Sequence, residues 1–172
     1  MTQTNSTDLL GRILGVLASS VAVFGGIVLT FLVLITIVSI IGRAALSQPI
    51  PGDFELVEIG CAIAVFAFLP YCQLVNGNVI VDFVTANASP ATRSLLDAVG
   101  NLCYTVIAAL LTWRLSLGGI DLKNYNESTM VLQVPVWWGF IPGVLCTGLL
   151  TLVCAYTAVR SLREFRHGKA CQ

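Results

Sequence analysis

The sequence predicts an all-α polytopic membrane protein: four transmembrane helices, with a short interfacial segment between the second and third. Three observations carry that prediction. Of 172 residues, 10% are charged and 56% hydrophobic, where soluble globular domains carry about 25% charge. A soluble body this small has too much surface to hide so large an apolar fraction, so its solvent is lipid. Next, charge vanishes from Ile13 to Gly42, Ile59 to Val81, Ala98 to Trp113 and Ser128 to Val159, and a bilayer core of about 30 Å needs roughly 20 apolar helical residues. Finally, Gly, Pro and Asn punctuate these runs and trim them to helices near 13–41, 55–75, 90–117 and 135–160. A single domain over 1–172, ending in a basic tail at 161–172, accommodates them all.

The first helix is longer than a bilayer requires, so it tilts or projects. It also exceeds the apolar core of a signal peptide, about 7–15 residues, and no small-residue cleavage site follows it. The second helix opens within "PGDFELVE", where acidic residues suit the positive end of the helix dipole. Arg43, Asp53, Glu55 and Glu58 crowd this first connection, and either solvated capping or an interchain salt bridge explains them.

The stretch "VNGNVIVDFV", residues 75–84, leaves the second span. Gly77 turns the chain, and Asn76 and Asn78 satisfy backbone groups as it exits lipid. Apolar residues then surround Asp82, which suits a segment lying in the interface plane with Asp82 toward water or another chain. An ordinary polar loop is the alternative. Ser89-Pro90 supplies an N-cap and a first-turn proline for the third helix, and Arg93 and Asp97 pair across its first turn. Gly118-Gly119 supplies its left-handed stop. Val134-Pro135 opens the fourth helix.

The dense basic cluster Arg160, Arg163, Arg166 and Lys169 places the C-terminus in the cytoplasm. Four spans bring the N-terminus to the same side, with Arg12 and the loop bearing Arg93. Arg43, Arg114 and Lys123 fall outside, a division of six basic residues to three. Trp113, Trp137 and Trp138 fall at the outer ends of helices three and four, at the headgroup level Trp favours.

Catalytic and cofactor chemistry finds little to work with. His167 is the single histidine and lies in the tail, and Met1 and Met130 offer no axial haem pair within the spans. No His, Cys and carboxylate cluster has metal-ligand spacing. Cys61, Cys72, Cys103, Cys146, Cys154 and Cys171 form no CxxC, and the outer loops near 42–54 and 118–134 contain no cysteine for disulfide exchange. They read as small apolar side chains. No ionisable residue sits at the centre of a span as delimited here, so no ion or substrate route is evident. The reading is therefore no enzyme, no cofactor and no metal, in a bundle that holds or completes something else. Gly25-Gly26, Gly139, Gly143 and Gly148 allow close helix approach, to a partner or within the bundle.

Two stretches bear a family resemblance. In "PGDFELVEIGCAIAVFAFLPYCQLVNGNVIVDF", Glu55-Leu56 opens helix two and Gly77-Asn78-Val79-Ile80-Val81-Asp82 follows it. In "STMVLQVPVWWGFIPG", Leu132, Val134, Pro135 and Trp137 lead into helix four. Over about residues 12–160 the chain resembles the small membrane subunit, the DctQ-like component, of tripartite ATP-independent periplasmic (TRAP) transporters. Asn78 departs from the family pattern, in which histidine is frequent there. The resemblance implies a small subunit of a secondary, ion-gradient-driven importer of organic acids in the bacterial inner membrane. It would scaffold a large permease subunit that carries the substrate and sodium sites, fed by a periplasmic solute-binding protein; membrane lipids are its other contacts, and nucleic acid is not among them. Subunit-interface candidates are Arg43, Glu55, Glu58, Gly77, Asn78, Asp82, Pro135, Trp137 and Trp138. The alternatives are a haem- or quinone-binding redox subunit and a self-assembling four-helix protein.

Overall fold

The structure, a computed structural model, describes residues 9–46, 50–75 and 90–166. Four helices account for most of them: α1 (Leu9–Leu46), α2 (Asp53–Leu74), α3 (Pro90–Asn124) and α4 (Trp137–Arg166). All four contain a stretch long and apolar enough to cross a membrane. Among the described residues there is no strand, only an isolated antiparallel bridge between Ser128 and Pro135. The expected interfacial segment, with Gly77, Asn78 and Asp82, lies outside the described residues.

The helices pack as a row in the order α1, α2, α4, α3, with minor contact between α1 and α4. Lipid tails are as apolar as leucine, so close fit between small residues replaces hydrophobic burial as the glue. Ala18 of α1 and Ala64 and Ala67 of α2 are fully buried. A Cβ on Gly25 would stand 2.9 Å from the Cβ of Ala67, so glycine sets how near α1 and α2 approach. On the other side of the row, Ala108, Leu150 and Cys154 form a core cluster between α3 and α4, covered by Leu69 and Tyr104.

Hydroxyls inside the spans find partners on their own helices. Thr30, Thr36, Thr105, Thr147 and Thr157 each donate to the carbonyl four residues earlier. Among the described residues no buried side-chain oxygen or nitrogen is left without a partner, as a medium without water requires. Bonds also cross between helices: Ser39 of α1 to Asp53 of α2 at 2.6 Å, Thr112 with Thr151 at 3.1 Å, and Gln73 of α2 to Asn101 of α3 at 3.2 Å and to Thr157 of α4 at 3.4 Å.

The helix limits differ from the sequence expectation in an instructive way. α3 does not stop at Gly118-Gly119 but continues to Asn124. The glycine pair lies against α4: a Cβ on Gly119 would stand 3.2 Å from the Cβ of Phe140. It serves close approach, not termination. The actual stop is Asn126, at φ 49. Its N–H donates to Lys123 O, and Glu127 N–H donates to Leu122 O, both at 3.2 Å. This paired closure with a left-handed residue is a Schellman motif, with asparagine where glycine is commonest. α4 begins at Trp137, not Pro135, because Pro135 completes the bridge with Ser128 and offers its carbonyl to Trp138 N–H.

Candidate functional site

Two regions concentrate the polar chemistry: the end of the bundle bearing Trp137, and the outer face of α3. At the tryptophan end the chain from Glu127 to Val136 folds back on itself. Thr129 N–H donates to Val134 O at 3.0 Å and Val136 N–H to Glu127 O at 3.1 Å, closing a small hairpin around the Ser128–Pro135 bridge. Gln133, at φ 55, makes the turn.

Glu55 clasps this hairpin. Its two carboxylate oxygens accept the Val131 N–H at 2.8 Å and the Leu132 N–H at 2.9 Å. Leu132 also packs over Gly52, where a Cβ would lie 2.5 Å from its Cγ. Gly52 has φ 81, a backbone only glycine adopts readily, and it precedes the first turn of α2. Next to it, Asp53 accepts a 2.6 Å hydrogen bond from Ser39 of α1. Between capping and interchain pairing, both carboxylates are thus engaged within the chain.

The other candidates divide. Arg43 is exposed on the last turn of α1, and no hydrogen bond or ion pair engages it among the described residues. Glu58 is exposed and likewise unengaged. Trp137 and Trp138 meet edge to face at 6.1 Å, and the Lys123 ammonium sits 5.4 Å from the Trp137 ring centre, within range of a cation–π attraction. Pro135 closes the hairpin. The structure therefore brings Glu55, Pro135 and the tryptophan pair to one end of the bundle, the end at which α1 finishes with Arg43 on its last turn.

Behind the hairpin lies a cavity of about 240 Å³ between α2, α3 and α4. It exists because α2 and α3 are joined at the opposite end by Gln73–Asn101 and have only slight direct contact elsewhere. Gly139 and Gly143 of α4 line it, and Glu55 and Glu58 belong to its rim.

The second region lies on α3 before the Gly118-Gly119 pair, through which the helix continues. With α3 running to Asn124, Trp113 and Arg114 no longer sit at a helix end. Thr112 faces Thr151 across 3.1 Å, and Thr151 is fourteen residues from Trp137, about 21 Å at about 1.5 Å per residue. Arg114 is thus about 12–18 Å along the helix axis from the level of Trp137, the Gly119–Phe140 approach giving the smaller figure and the Thr112–Thr151 contact the larger, and it lies inside the third candidate span, Val99–Asn124. Trp137 opens the fourth candidate span, whereas Trp113 lies within the third, Val99–Asn124. The expectation that no span carries a central charge is corrected accordingly. Arg114 is exposed, on the least covered of the four spans, of which 6% is buried. No hydrogen bond or ion pair engages it among the described residues.

A family model described as "Tripartite ATP-independent periplasmic transporters, DctQ component" matches residues 32–164. The chain belongs to this family. DctQ proteins are components of a tripartite transporter, not enzymes, so this DctQ chain is a membrane component that works among partners. The match begins within α1 and takes in the Glu55 clasp, the hairpin, Arg114 and most of α4. Comparison with curated proteins and with solved structures returned no match.

Proposed function

We propose that this DctQ chain is the small subunit of an ion-gradient-driven TRAP importer of an organic acid, and that it holds the large permease subunit without binding substrate itself. Arg114 carries the reading. An arginine at the middle of a membrane helix costs at least about 2.5–3.5 kcal/mol on insertion scales. Such residues ordinarily face a bundle interior or a water-filled cavity. Here Arg114 is exposed on α3, away from its own bundle and inside the third candidate span, Val99–Asn124, where a snorkelling side chain alone leaves the charge poorly hydrated. A second membrane protein presenting a carboxylate or exposed carbonyls removes that cost. The outer face of α3 is accordingly the docking face for the large subunit.

The termini belong together in the cytoplasm on this reading. Gly11 of α1 meets Tyr156 of α4, so both chain ends leave the same end of the bundle, and six of nine basic residues go with them. The membrane is then the bacterial inner membrane, and the hairpin faces the periplasmic solute-binding protein. Reconstitution tests the whole assignment. Organic-acid uptake into liposomes should need this chain, the large subunit, the solute-binding protein and a sodium gradient together. Uptake by this chain alone, or full uptake without it, overturns the reading.

A further inference from the structure

We propose that the cavity behind the hairpin is a binding site for a phospholipid with a primary ammonium headgroup, and that Glu58 is the residue that reads the headgroup. The cavity is long in one direction. On α2 its lining runs from Glu55 to Phe66, eleven residues or about 16 Å along the helix axis. That reaches from the level of the tryptophan pair to about the middle of the membrane, further than a single protein side chain extends and along the direction an acyl chain takes.

Its chemistry changes along that length in the order a phospholipid requires. The deep part is hydrocarbon: Ile59, Ala62, Phe66, Leu115, Phe140 and the bare floor at Gly143. An apolar space of this size beside lipid holds hydrocarbon, because water needs two to four polar partners that these walls do not supply. The rim is acidic. Glu55 already spends both oxygens on the Val131 and Leu132 amides, while Glu58 lines the cavity and is exposed with no described partner. Among the described residues no lysine or arginine lines the cavity. A carboxylate at a membrane surface and above an acyl-sized slot selects a cation attached to that chain. A primary ammonium meets this need with N–H donors; a quaternary ammonium has the charge without the donors, and a glycerol headgroup leaves the phosphate charge opposed to Glu58.

The site also explains the glycines that line it. A Cβ at 139 would stand 3.1 Å from Ile59 and one at 143 would stand 3.6 Å from Phe66, so bulk there would press on the two α2 residues that wall the slot, and the hairpin clasped by Glu55 closes it at the top. The proposal concerns the chain by itself and stands apart from its docking to a large subunit.

The full chain, stripped of lipid in detergent, is titrated by native mass spectrometry with dioleoyl lipids bearing ethanolamine, choline or glycerol headgroups. The ethanolamine lipid should bind tightest. Glu58→Gln should weaken it about tenfold, the size of one charge-assisted hydrogen bond, weaken the choline lipid less and leave the glycerol lipid unchanged or tighter. Ala62→Leu, at an exposed lining position, should weaken all three and so tests the slot without touching the headgroup. Circular dichroism and gel filtration confirm that both variants keep their fold. Equal affinity for the three lipids, or unchanged affinity in Glu58→Gln, overturns the proposal. So does a Glu58→Gln variant that binds lipid normally but loses the large subunit, since Glu58 then reads a protein.

Discussion

A carboxylate oxygen of Glu55 accepts the backbone N–H of Leu132 at 2.9 Å, joining two positions 77 residues apart. The same side chain takes the Val131 N–H on its other oxygen. A single acidic residue on the first turn of α2 therefore fixes the loop that leads into α4. Replacing Glu55 with Ala should expose both amides to solvent, and hydrogen exchange at Val131 and Leu132 should accelerate while the helix cores stay protected. Glu55→Gln keeps one acceptor and should fall between. Unchanged exchange in Glu55→Ala would show that packing of Leu132 on Gly52 suffices alone.

Gly25 and Gly26 are neighbours with opposite surroundings. A Cβ on Gly25 meets Ala67 at 2.9 Å and the Ala64 carbonyl at 3.4 Å, whereas nothing lies within 4 Å of one on Gly26. Gly25→Val should push α1 from α2 and cost about 1–3 kcal/mol, the usual range for overpacking. Gly26→Val should be tolerated by the isolated chain. Thermal unfolding in detergent compares them, and equal midpoints would contradict the packing described here. If Gly26→Val impairs only the assembled transporter, that open notch belongs to a subunit contact.

What the sequence made legible follows from how each feature is encoded. The spans were readable because lipid imposes a composition that no other solvent does, and because Glu55, Pro135 and the tryptophan pair each mark a helix end locally. The end of α3 was not. A Gly-Gly pair signals a stop only if the helix leaves its neighbour there, and whether Phe140 waits across the gap is a tertiary fact. Asn126 in a left-handed conformation gives a weaker local signal than glycine. That one boundary places Trp113 and Arg114 inside a candidate span and not at its end. The engagement of Glu55 with backbone amides could not be read either, since amides carry no residue identity.

The cysteines should prove to be packing residues. Cys154 is fully buried and Cys146 nearly so, while Cys72 and Cys103 are exposed on the bundle surface. Cys72→Ala and Cys103→Ala should leave the unfolding midpoint unchanged. Cys154→Ala should lower it, because the core cluster with Ala108 and Leu150 loses a side-chain atom it cannot refill. Transport by the assembled system should survive all of these replacements. Loss of transport at normal protein level and assembly would reveal a redox or ligand role.

Arg114 gives a prediction of two opposite signs. In the isolated chain Arg114 is exposed inside the third candidate span without a described partner, so replacing it with leucine should remove an insertion cost of up to about 2.5–3.5 kcal/mol. Arg114→Leu should therefore stabilise the chain alone in bicelles. In the complex the same change removes the group that the large subunit satisfies, so co-purification and reconstituted uptake should both fall. Arg114→Lys keeps the charge but not the planar fork that grips a carboxylate at two points, and it should retain part of the assembly. A surface charge that merely reached the headgroups would give a different pattern, with both lysine and leucine leaving assembly intact. That outcome would remove α3 as the docking face while leaving the family membership of the chain untouched.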